Sequence, residues 1–303
     1  MKKLALLFGA LSLVSSVAYA KEVVPAVEEV VVVEEVAPVA AAPTLTVTHV
    51  GQYIEVDNNS HVDAGKTNAD IGEAVHFAQV VGLAYEDWTF DLMARKAWLM
   101  DTDEGVHSNG HRLDLDVWKN YENFSVGARW RQEADNDKWL ARAKYNFGMF
   151  SGWVDAGYQF NNDDAADNIY SEAMPVAVTV GPVTVGYYYE YKDFNGTSKT
   201  SNDQTKEFTQ QARVMFPLYT GEKLSLGAEY RYQFAQDKEF EQHKAWQENN
   251  RHIGIVNANY ALTENLSVYG YYEYDWNKYE GHDMKDQKDD YYGEFAIGWN
   301  YAF

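Results

Sequence analysis

An all-β fold, a transmembrane antiparallel up-and-down β-barrel of about fourteen strands, is what the sequence predicts, and three observations predict it. The first is the closing stretch 290–303, DYYGEFAIGWNYAF, where Tyr291, Phe295, Ile297, Trp299, Tyr301 and Phe303 occupy alternate positions, interrupted only by Gly293. The other set, Tyr292, Glu294, Ala296, Gly298, Asn300 and Ala302, is small or polar apart from the tyrosine, so the stretch has the two-faced period of a strand in a barrel wall. The second is that the chain from residue 45 repeats such alternating segments at a regular beat, with connections that are short and tight or long and polar in turn. The third is composition: aromatics reach 15% and tyrosines number 23, although the mean hydropathy is negative. Aromatic girdles outside and a polar lumen inside reconcile the two.

The start of the chain lies outside this pattern. Residues 1–20, MKKLALLFGALSLVSSVAYA, have two lysines, an apolar core and an Ala-Tyr-Ala exit, the form of a secretory signal peptide. Residues 21–44 are built from Val, Glu, Ala and Pro, with prolines at 25, 38 and 43 that break regular structure. This stretch reads as a periplasmic tether, either a disordered leader or a short coiled, envelope-anchoring segment centred on 30–33. The barrel domain is then 45–303. No later stretch offers the roughly eighteen uninterrupted apolar residues of a spanning helix.

Charge and cysteine content exclude further classes. The formal charge is -21, and -23 once Lys2 and Lys3 leave with the signal peptide, which argues against nucleic acid as a partner. With no cysteine, an exported chain has no disulfide scaffold, and any metal site would use His, Asp and Glu.

Taken in order, the first segment is 45–56, followed by an expected polar loop over 57–73 and a return at 74–85. A tight turn at Glu86 and Asp87 leads into 88–100, with Trp88, Phe90, Leu92, Ala94 and Trp98 on one face and Thr89, Asp91, Met93 and Arg95 on the other; Lys96 falls on the apolar face. After a loop over 101–110, Leu113, Leu115 and Val117 alternate with Arg112, Asp114, Asp116 and Trp118. The fifth segment sets Phe124, Val126, Ala128 and Trp130 against Ser125, Gly127, Arg129 and Arg131, and the sixth sets Trp139, Ala141, Ala143 and Tyr145 against Leu140, Arg142, Lys144 and Asn146. The seventh has Trp153, Asp155, Gly157 and Gln159 on its polar face and ends in an acidic loop. The eighth, 169–180, contains Pro175, which cannot donate to a neighbour, so a bulge or a later start is expected there.

The ninth segment has Thr184, Gly186, Tyr188, Glu190 and Lys192 on one face, and the tenth Glu207, Thr209, Gln211 and Arg213, before an expected turn over 217–222. The eleventh carries Ser225, Gly227, Glu229, Arg231 and Gln233, with a loop expected over 235–250. The twelfth is 251–261, the thirteenth carries Tyr271, Glu273 and Asp275, and the fourteenth is the closing stretch with Glu294. An even count puts both ends on the side of the short turns, the periplasmic side of an outer-membrane barrel.

The polar faces carry Asp91, Asp114, Asp116, Asp155, Glu190, Glu207, Glu229, Glu273, Asp275 and Glu294 against Arg95, Arg112, Arg129, Arg131, Arg142, Lys144, Lys192, Arg213 and Arg231, nineteen charges in all. Because an unpaired buried charge costs several kcal/mol, these residues are expected to line a wet pore. Basic residues gather on the fourth to sixth segments and acids on the eleventh to fourteenth. In a ring of fourteen the two groups face each other, which gives either a transverse field or plain solvation of the lumen. Ten acids against nine bases leave -1 for the wall, and the tether accounts for -4. The remaining -18 of the exported chain sits on loops, turns and rims, which predicts a weakly cation-selective mouth.

The segments FTQQARVMFPLYTGEKLSLGAEYRY and HIGIVNANYALTENLSVYGYYEYDW, with the ending AIGWNYAF, make the last hundred residues similar to the OmpG-like outer-membrane porins, and the Val/Glu/Ala/Pro leader resembles that of FomA-type major porins. The resemblance implies a fourteen-stranded general diffusion channel for small hydrophilic solutes and ions in the outer membrane of a Gram-negative-type bacterium. It implies contact with outer-membrane lipid and lipopolysaccharide, a monomeric or trimeric barrel, and no cofactor. The ending on Tyr301 and Phe303 resembles the signal by which such barrels engage their assembly machinery. The histidine pair that gates the OmpG family is not implied here, because Glu248 stands at one such position and His243 and His252 are displaced.

Two other classes compete. An adhesin would act through its outer loops. A barrel protease or lipase would need a catalytic constellation, and the candidates are Asp103, His107 and His111 in one loop and His243 and His252 flanking another, without a serine in a nucleophile setting. Asp163, Asp164 and Asp167 lack the spacing and glycine of a calcium loop and read as solvated.

Overall fold

The computed structural model describes residues 43–63, 66–101, 105–162, 166–194, 204–240, 244–280 and 290–303. The expected signal peptide and nearly all of the expected tether lie outside these residues. The strands are β1 (Thr46–Asp63), β2 (Lys66–Tyr85), β3 (Trp88–Asp101), β4 (Gly105–Asn120), β5 (Phe124–Glu133), β6 (Asn136–Phe147) and β7 (Phe150–Asn161). They continue as β8 (Asn168–Val180), β9 (Val183–Phe194), β10 (Gln204–Thr220), β11 (Leu224–Phe240), β12 (Lys244–Ala261), β13 (Leu266–Glu280) and β14 (Asp290–Ala302). Each pairs antiparallel with its sequence neighbours, and β14 closes on β1 to make a barrel. The seam runs without a register shift from His49 opposite Ala302 to Ser60 opposite Tyr291. Closure leaves no sheet edge, which is what a strand protein in hydrocarbon requires.

At one end the connections are short. The turns at Glu86, Gly148 and Gly181 each begin with a positive φ (52°, 64° and 59°), which lets a two-residue loop follow the right-handed twist of the strands. Both ends of the described barrel lie here, where the Phe303 amide donates to the Thr48 carbonyl at 3.0 Å.

At the other end the strands correct the sequence expectation. The predicted loop over 57–73 is mostly paired backbone, with Asn58 opposite Ile71 and Asp63 opposite Lys66. The expected loops over 101–110 and 235–250 likewise contribute to β3, β4, β11 and β12, while at the short-turn end the expected turn over 217–222 shrinks to 221–223. Alternation vanishes in these stretches because strands that rise above the bilayer meet water on their outer face too, so nothing there selects an apolar residue. Pro175 behaves as expected: register shifts on both sides of β8, between Ser151 and Trp153 on β7 and between Ala173 and Val176 toward β9, bulge the strand around it.

The two faces are sharply different. Ile54, Leu92, Leu115, Trp139, Val185, Tyr272 and Ile297 are exposed on the outside. Inside, small apolar groups form where side chains from neighbouring strands converge, Tyr53 with Ala78 and Met93, and Ile253 and Ile255 with Tyr271 and Ala296.

Candidate functional site

The inner wall is the candidate site. Contacts that bridge an intervening strand can form only on the concave side, and they identify it: Tyr53 on β1 donates to Met93 Sδ on β3, and Tyr271 on β13 reaches Glu55 on β1. All nineteen charged residues singled out in the sequence lie on this face. None is exposed: eleven are buried, and Asp91, Arg95, Arg112, Arg131, Lys144, Glu190, Lys192 and Glu207 are half-buried. They are shielded mainly by one another, because side chains converge inside a cylinder and meet counter-charges on adjacent strands.

The pairs run around the wall. On β4 to β7, Asp114 takes both Arg112 (2.9 Å from Nε) and Arg131 (3.0 Å from Nε). Asp116 takes Arg129 Nε at 2.6 Å and Arg142 Nη1 at 2.9 Å, while Arg142 Nε donates to Asp155 at 2.9 Å. Strand spacing explains the ladder: Asp114 faces Arg131, Asp116 faces Arg129 and Arg142 faces Asp155 in register. The Trp118 indole lies under Arg142 and Lys144, at 4.7 and 4.5 Å from its ring centre. Gly127 makes room for it, since a Cβ there would sit 2.7 Å from the indole Cε3.

On β8 to β10, Lys192 reaches Glu190 at 2.9 Å and Glu207 at 3.9 Å, and Arg213 lies 3.6 Å over the Tyr188 ring while donating to Gln211. On β11 to β13, Arg231 pairs with Glu229 at 2.5 Å and lies 3.9 Å from Glu273, and Arg251 pairs with Asp275. On β13 through β3, Tyr271 and Tyr292 donate to Glu294, and Arg95 donates to Glu55 at 2.9 Å. Asp91 lies 3.6 Å from His49. Each wall therefore carries its own counter-ions.

Sequence reasoning missed Glu55, Asp57, His76 and Arg251. The first strand pair alternates weakly, since Gly51, Gln52, His76 and Gln79 interrupt the apolar set, and Arg251 stood at an assumed loop edge. Register with β14 and β13 would have found them.

The other candidates do not assemble into catalytic groups among the described residues. His107 and His111 are exposed on β4, and Asp103 and His243 lie outside the described residues. His252, beside the expected loop, lies on the outer face of β12, stacked against Tyr232 at 5.1 Å and Trp276 at 5.5 Å, with Tyr230 Oη 2.7 Å from its Nδ1. Glu248 stands opposite Glu280 in the strand register. Asp167 accepts the Asn161 amide at 2.8 Å, and Asp163 and Asp164 lie outside the described residues.

No family model and no curated protein matches the chain. Among solved structures, a bacterial polysaccharide outer membrane secretin is similar with a TM-score of 0.50 at 10% identity, covering 84% of this chain and 98% of that one. OmpT, an outer membrane protein of Vibrio cholerae, gives 0.46 at 15% identity, covering 86% and 98%. An anion-selective porin from Comamonas acidovorans gives 0.42 at 10% identity, covering 86% and 100%. The first of these similarities, at 0.50, bears on the fold, a closed antiparallel β-barrel.

Proposed function

We propose that the chain is a porin of the outer membrane, a channel that passes small hydrophilic solutes and ions with weak cation preference. The observation that carries this reading is the charged inner wall: acid and base pairs encircle the inside of a closed barrel whose outside is apolar. A barrel with no transport role has no need of so many ionic groups inside, where hydrophobic replacements are often as stable. The nineteen charged residues are its pore-lining set, and the eight half-buried ones are those a passing solute would meet. Fourteen strands lie between the filled eight-stranded barrel and the open sixteen-stranded channel, which fits a narrow pore. The strand count also agrees with the OmpG-like resemblance of the last hundred residues.

Single-channel recording of refolded protein in a planar bilayer tests the proposal. Discrete conductance steps are expected, with grouped steps of three if the protein is a trimer. A folded barrel that inserts without conductance would overturn the porin reading in favour of an adhesin.

A further inference from the structure

Glu55 and Asp57 are two residues apart on β1 and so share the inner face, and His76 stands opposite Glu55 on β2. One donor atom from each of the three lies within 4.8 Å of the others. His76 Nε2 is 3.1 Å from Asp57 Oδ2. A zinc ion held by an imidazole nitrogen and a carboxylate oxygen at tetrahedral angle sets those atoms about 3.4 Å apart, so a shift of a few tenths of an ångström would admit it. His76 is only 8% exposed and its Nδ1 makes no hydrogen bond. Asp57 can only accept, so this contact keeps the proton on Nε2; a cation at that position would replace the hydrogen bond, and the unpartnered Nδ1 can carry the ring proton instead.

A second observation is a shortage of protons around the same carboxylates. Tyr271 Oη meets Glu55 Oε2 at 3.1 Å and also Glu294 Oε1, and Tyr292 Oη meets Glu294 Oε2 at 2.7 Å and also Asp57. Each phenol has one proton to donate. Two protons thus serve four oxygen to oxygen contacts among three carboxylates, while Arg95 engages Glu55 through its other oxygen. Added positive charge would relieve this.

We propose that Glu55, Asp57 and His76 bind one divalent transition-metal cation of the zinc class on the inner wall. An imidazole with two carboxylates suits zinc and its neighbours, whereas magnesium and calcium prefer oxygen alone. The Asp57 side chain is 21% exposed, which opens the site to ions in the lumen.

Calorimetric titration of the refolded full-length protein with zinc chloride alone tests the proposal independently of conductance. One equivalent is expected to bind, magnesium in tenfold excess is expected not to displace it, and His76→Ala and Glu55→Gln are each expected to weaken binding at least tenfold. Glu55→Gln is nearly isosteric and keeps an acceptor for Tyr271, and heat-modifiable migration checks that each variant is folded. Absence of zinc binding below about 1 mM would overturn the site. So would undiminished binding in a folded His76→Ala variant, which would assign the zinc to surface histidines, or displacement by magnesium, which would make the site an all-oxygen one.

Discussion

At the scale of single residues, the energetic weight of the wall rests on carboxylates shared between two guanidinium groups. Asp116 holds Arg129 and Arg142 together, and both arginines are buried. Asp116→Asn keeps the shape but leaves two buried cations short of charge, so it is expected to cost about 3 to 5 kcal/mol in reversible urea unfolding of the refolded barrel. A change below about 1 kcal/mol would mean that water, not Asp116, neutralises these arginines. Lys96 is the opposite case, a cation on the lipid-facing side. Its Nζ donates to Ser108 Oγ, and Ser108 lies toward the loop end of the wall, opposite Trp98. The side chain is thus directed away from the bilayer centre. Lys96→Leu is expected to shift stability by no more than about 1 kcal/mol, and a gain of several would show that the lysine sits at the midplane.

At the scale of elements, the strands differ in what defines them. β4 to β7 and β9 to β11 alternate strongly, and their faces were legible from residue types alone. β1, β2 and the outer half of β12 were not, because where a strand leaves the bilayer both faces are wet and only pairing with a neighbour keeps it extended. β14 is the most legible element and also closes the ring. Tyr301 and Phe303 stack edge to face at 5.0 Å on its outer side, and the Phe303 amide is bonded to β1. Phe303→Ser is therefore expected to leave the protein in the periplasm or degraded, read by fractionation and heat-modifiable mobility. A normal barrel in the outer membrane after that change would remove β14 from its assembly role.

At the scale of the whole molecule, charge decides what the proposed pore prefers. The structure adds Glu55, Asp57, Glu133 and Glu172 to the inner face against Lys138, Lys238 and Arg251, four acids and three bases, which moves the wall from -1 to -2. The change has the same sign as the larger negative charge of loops and rims. Reversal potentials in a salt gradient are expected to show weak cation preference near 0.1 M salt, where screening extends about 10 Å, and to lose it near 1 M, where it extends about 3 Å. Anion preference, or a preference unchanged at molar salt, would exclude the mouth charge as its source.

Strand count, the assignment of faces on the strongly alternating strands, the bulge at Pro175 and the location of nineteen inward charges were all determined by the sequence. Period two and the chemistry of proline are local properties, legible one strand at a time. Which charges meet was not legible, because partners such as Arg142 with Asp116, or Glu55 with Tyr271, lie on strands separated by another strand. Such contacts depend on register and on the curvature of the closed wall. The same curvature decided that the inner charges would be buried against one another; the β1–β2 register sets Glu55, Asp57 and His76 side by side, and closure of the cylinder brings Tyr271 of β13 and Glu294 of β14 to the same patch.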